Sequence, residues 1–172
     1  MTRVHTIHQT GHPPRAAVLL LAAMVLIGCS AGIGLSCGAR ESFAEAWQAF
    51  GSAPSGFTPV MISLLPLVLS ALAVYVRWPV FLFPLAFWKA FFFSYVFSGF
   101  LGALGGAGWM VCSLGLFSGI WSMPALCWYW LRHLDGSGFS LGTFLPAGAV
   151  ITAISLTEMW VISPFLATIL TS

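Results

Sequence analysis

Residues Pro79 to Leu104 read PVFLFPLAFWKAFFFSYVFSGFLGAL, and this stretch decides the fold class. As a helix rising about 1.5 Å per residue it is long enough to cross the ~30 Å hydrocarbon core of a bilayer. Phenylalanine crowds its centre, and a single lysine, Lys89, lies near the middle. A charge at that depth costs about 2.5 kcal/mol or more on insertion scales, so Lys89 calls for a partner or a task.

The rest of the chain has the same character. Hydrophobic residues make up 59% of it and charged residues 6%, against roughly 25% charged in a soluble domain. So few charges cannot cover a normal water-facing surface, and lipid must cover most of it. The 172 residues leave room for one membrane domain, 16–172, behind a short polar tail, 1–15. A net charge of +2, with no basic run and no glycine-rich phosphate loop, argues against a nucleic-acid partner. Cys29, Cys37, Cys112 and Cys127 form no CxxC pair and read as small apolar residues. His5, His8 and His12 sit in the tail among Gly11, Pro13 and Pro14, so neither a metal site nor a cofactor is expected.

Five apolar segments can be marked. The first, 16–35, contains Leu26-Ile27-Gly28-Cys29, which is similar to a bacterial lipobox. Apolar residues continue past Cys29 to Leu35, however, and the pairs Gly28/Gly32 and Ser30/Gly34/Gly38 have the spacing of a small-residue packing face. A retained helix is therefore expected. Residues 42–50 are amphipathic: Ser42 and Glu45 fit a capping box, and Phe43, Ala46, Trp47 and Phe50 share a face. Either an interfacial helix or an ordered loop satisfies that pattern. After the breaker 52–56, a second span is expected at 57–76, kinked at Pro66, and a tight turn at Arg77–Pro79 joins it to the third, 79–104. That span carries Ser94, Ser98 and Gly102 on one stripe and stops at Gly105-Gly106, which reads as a hinge. The fourth, 108–131, places Gly115 and Gly119 on one packing face, holds Pro124 inside, and ends in Trp128-Tyr129-Trp130 beside Arg132. The fifth, 144–170, contains Glu158 and Pro164.

The expected fold is thus all-α, a polytopic membrane helical bundle of about five transmembrane helices. With the N-terminus inside, Arg3, Arg15, Arg77 and Arg132 face the cytoplasm and only Arg40 lies outside, so positive charge favours an N-in/C-out arrangement. Lys89 then lies ~15 Å and Glu158 ~21 Å along helices that enter from the same side. Their depths overlap near the midplane, so an ion pair between the helices is within reach. The alternative is that one of them lines a polar path for a proton or solute. No HExxH, GxSxG or intramembrane aspartate pair is present, and His133, the histidine outside the tail, has no evident nucleophile partner. No enzymatic activity is expected.

Two short passages carry a family resemblance. Phe87 to Tyr95, FWKAFFFSY, and Gly115 to Leu126, GLFSGIWSMPAL, separated by Gly105-Gly106, resemble the stage II sporulation protein M family. Lys89-Ala90-Phe91 matches its basic–small–phenylalanine element, with alanine where glycine is usual. Pro124-Ala125-Leu126 matches the proline element of the next span, although Ser118 and Gly119 stand where more polar residues are common. The resemblance covers about 50 residues. It implies a bacterial membrane scaffold, associated with cell-wall hydrolase or other membrane partners, and leaves self-association open. The rival reading is a small transporter subunit whose proline-broken helices form a midplane site near Lys89 and Glu158. Inside the spans, apart from those two residues, the chain offers mainly Ser and Thr, which favours the scaffold.

Overall fold

The computed structural model describes residues 15–39, 58–106, 108–109, 112, 117–135, 137–162 and 164. Among them there are five α-helices and no strand: α1 (Arg15–Ser36), α2 (Thr58–Tyr75), α3 (Leu82–Leu104), α4 (Phe117–His133) and α5 (Leu141–Thr157). A 3-10 turn, Pro79–Phe81, leads into α3, and a π turn, Glu158–Ile162, extends α5. Three of these units are long and apolar enough to cross a membrane: Arg15–Ser36, Pro79–Leu104 and Leu141–Ile162. The expected amphipathic segment 42–50 and the polar tail up to residue 14 lie outside the described residues, as does the chain beyond Pro164. The helix in the fourth segment is bounded at Phe117–His133, with helical residues also at Gly108, Trp109 and Cys112.

Each helix has an inside-out polarity. Large apolar side chains face away from the bundle, among them Leu19, Leu26, Met61, Trp160 and Val161, each exposed by more than 60%. The buried faces carry hydroxyl-bearing residues, including Ser36, Ser63, Ser70, Ser94, Ser122 and Ser155, beside large ones such as Leu67, Tyr129 and Trp130. In water an exposed apolar surface of this extent would drive association; in hydrocarbon it costs nothing, and the polar atoms gain by turning inward.

The helices α1 and α3 form the most extensive contact, and they run parallel. The Cα of Gly28 sits so close to α3 that an added Cβ would lie 2.6 Å from the Phe87 carbonyl oxygen. At Gly32 it would meet the Phe91 carbonyl oxygen at 2.5 Å and the Tyr95 amide at 2.8 Å. One turn further on, the Ser36 and Ser98 hydroxyls are 2.5 Å apart. Only small residues allow two backbones to approach so closely, and α3 answers with Ala86, Ala90 and Ser94, all buried. The stripe expected at Ser30, Gly34 and Gly38 faces elsewhere: Ser30 and Gly34 are exposed, and nothing lies within 4 Å of a Cβ built at Gly34. On α3 the seam likewise ends at Ser98, and Gly102 is exposed.

The helices α2, α4 and α5 pack by interlocking large side chains. Leu67, Val74, Leu126, Tyr129, Trp130 and Ile151 are buried together. The indole N–H of Trp130 donates to Ser70 Oγ at 2.7 Å, and that hydroxyl donates in turn to the Pro66 carbonyl at 2.6 Å. With Ser63 Oγ 3.4 Å from Ser118 Oγ, this sets α2 parallel to α4. The turn between α2 and α3 is a Schellman motif: Trp78 N–H bonds the Ala73 carbonyl and Arg77 N–H the Val74 carbonyl. Arg77 takes the left-handed conformation, φ 60°, that glycine usually fills.

These relations fix where the charges fall. The start of α1 lies beside the start of α3, the turn brings the end of α2 there, and α4 ends on the same side. Arg15, Arg77 and Arg132 therefore share one end of the bundle.

Candidate functional site

Four helices bring polar groups to one node. Glu158 begins the π turn at the end of α5 and is half-buried. Its Oε2 accepts a hydrogen bond from the Ser118 N–H at 2.6 Å. Ser118 is the second residue of α4, where the first-turn N–H groups have no acceptor within the helix, and a carboxylate there also meets the positive end of the helix dipole. Ser63 of α2 donates to the Ser118 hydroxyl. Lys89 of α3, also half-buried, lies within coulombic reach of the Glu158 carboxylate. Glu158 also has a backbone partner, the Ser118 N–H, that sequence reasoning missed. A backbone N–H leaves no mark in a residue pattern, so only the fold could supply it.

The π turn has a local cause. Pro164 has no N–H to give and its ring crowds the carbonyl four residues back, so the helix widens just before it. That widening is where Glu158 emerges.

The glycines and proline expected to pack or hinge occupy distinct places. Gly105 ends α3 with φ 58°, its N–H bonded to the Leu101 carbonyl, in a conformation that excludes most side chains. Gly106 has open space around it. Just beyond, the chain folds back along α3: a Cβ at Gly108 would sit 2.6 Å from the Phe100 carbonyl oxygen, and the Cys112 thiol bonds the Phe97 carbonyl at 3.4 Å. Gly115 lies outside the described residues. Gly119 meets the Phe93 ring, with 3.3 Å left for a Cβ, and Pro124 is inside α4 on its exposed face. Cys29 lies within the unbroken helix α1.

A second polar centre surrounds His133, which is 2% exposed. Thr143 Oγ1 gives its hydrogen to the Ser140 carbonyl at 2.9 Å, so in the 2.8 Å contact with His133 the Nε2–H is the donor. Nδ1 lies 3.3 Å from both Ser137 oxygens. The histidine thus ties the end of α4 to the start of α5 across the loop. Burial opposes ionisation of Asp135 in that loop. The Ser137 N–H, at 2.9 Å, and the other local hydrogen bonds outweigh it and hold the carboxyl below its usual range. Thr143 meets the histidine only when the loop closes, so no residue pattern marks this hydrogen bond.

Among the described residues no group of three or more His, Cys, Asp or Glu side chains could hold a metal. Comparison with family models, with curated proteins and with solved structures returns no match.

Proposed function

We propose that the chain is a multi-pass protein of a bacterial cytoplasmic membrane, with five spans in an N-in/C-out arrangement, and that it serves as an assembly scaffold. Its partners on this reading are membrane or cell-wall hydrolase proteins of an envelope- or peptidoglycan-remodelling complex, the role that the resemblance to stage II sporulation protein M implies. The observation that carries the reading is the use made of the inward polar groups. Ser36 with Ser98, Ser63 with Ser118, Trp130 with Ser70 and Ser118 with Glu158 each join one helix to another. They brace the bundle. The shared position of Arg15, Arg77 and Arg132 at one end supports placing that end in the cytoplasm.

Crosslinking in native membranes, followed by purification of the full chain, tests this. A hydrolase or envelope membrane protein should be recovered in fixed stoichiometry. A C-terminal reporter should be active only outside the cytoplasm. The carrier reading keeps one specific support, a half-buried carboxylate at the head of a π turn. Proton or solute flux into liposomes that disappears in Glu158→Gln, at normal protein level, would replace the scaffold with a carrier.

A further inference from the structure

The outer face of the α4–α5 pair holds an open groove of about 470 Å³. Ala125 and Ala147 are the smallest side chains that line it, with Pro124 and Pro146 beside them in sequence. Trp121 and Trp128 wall it on α4, and Val150 and Ile154 on α5. All of these side chains are hydrocarbon or aromatic, so the groove suits a hydrocarbon guest.

Its length and its mouth narrow the choice. The lining on α4, from Trp121 to Trp128, advances ~11 Å, and Arg132 one turn further on brings the run to ~16 Å, about the depth of one leaflet of a ~30 Å hydrocarbon core. At the end of that run the Arg132 guanidinium sits 5.9 Å from the centre of the Trp128 ring, exposed, and at the arginine-bearing end of the bundle. An apolar channel that together with its terminal cation, bearing five N–H donors, spans one leaflet complements the shape and charge of an anionic phospholipid.

We propose that this groove binds one acyl chain of an anionic phospholipid whose phosphate is held by Arg132. Trp128 serves both halves, stacking under the guanidinium and lining the channel. The assignment is independent of the scaffold reading. In the N-in arrangement it places the lipid in the cytoplasmic leaflet, whose surface is the anionic one.

Native mass spectrometry of the full chain in mild detergent, with equimolar phosphatidylglycerol and phosphatidylcholine of matched chains, tests it. Phosphatidylglycerol adducts should exceed phosphatidylcholine adducts by roughly five-fold, the factor expected from one basic residue at the surface. Arg132→Gln should bring the ratio to near parity. Val150→Trp fills the groove from an exposed position and should remove the adducts of both lipids while the thermal transition is unchanged. Equal retention of the two lipids by the unaltered protein, a preference that survives Arg132→Gln, or adducts that survive Val150→Trp would each overturn the proposal. So would a dimer that Val150→Trp abolishes in the absence of any lipid adduct, since the occupant would then be a second copy.

Discussion

The α1–α3 seam and the α2–α4–α5 cluster solve the same problem with opposite means. In the seam, Gly28, Gly32, Ala86 and Ala90 remove side chains so that backbones meet, and a hydroxyl pair closes the far end. In the cluster, Trp130, Tyr129, Leu67 and Leu126 fill space and one indole hydrogen bond fixes their register. Lipid tails are as apolar as leucine, so between them burying a large side chain would bring little transfer energy. Close approach gains dispersion along the whole backbone, whereas interlocking gains it locally. The seam should therefore be brittle and the cluster forgiving.

The sharpest way to break that contrast is Gly32→Leu. The new side chain would meet Ser94 Oγ, the Phe91 carbonyl and the Tyr95 amide, two of them backbone atoms that cannot swing aside. A loss of about 3 kcal/mol or more is expected, with α1 detached while the cluster stays folded. Protease susceptibility confined to the α1 region, beside a retained core, would show it.

The node between the two regions comes next. Lys89→Glu and Glu158→Lys should each lower the thermal transition. The double exchange should restore only part of the loss, because a lysine at position 158 can face the exchanged charge but cannot accept the Ser118 N–H. Full recovery would make the node a simple ion pair and remove the helix-capping role.

The smallest effect is expected in the cluster. Ser70→Ala leaves the Trp130 N–H buried without its acceptor and should cost about 1 kcal/mol, read as a modest shift of the unfolding midpoint in detergent. A collapse as severe as that of Gly32→Leu would erase the distinction between the two regions.

How much of this was legible in the sequence differs along the same line. Helix positions followed apolar runs in part: 16–35 and 79–104 overlie Arg15–Ser36 and Pro79–Leu104, whereas the last helix begins at Leu141, three residues before the expected 144. The Gly28/Gly32 pair was visible because four-residue spacing survives in one dimension. The choice between that stripe and Ser30/Gly34 was not, since both have the right spacing and only the partner helix decides which is buried. Among the charges, Lys89 and Glu158 stood out because ionisable residues are rare in such segments. Their surroundings, a Ser118 N–H and a π turn before Pro164, depend on backbone geometry that no residue type announces. The hydrogen bond between His133 and Thr143, ten residues apart across a loop, is likewise unmarked in the sequence.

The central structural claim is that α1 and α3 run parallel, seamed by small residues. Ser36→Cys with Ser98→Cys, in a chain whose four native cysteines are replaced, tests it most directly. Mild oxidation in native membranes should link the pair rapidly, because the native hydroxyls are 2.5 Å apart, and Gly32→Leu should abolish the link. Failure of Ser36→Cys to pair with Ser98→Cys, together with ready linkage to Leu82→Cys at the opposite end of α3, would make the helices antiparallel and contradict the account.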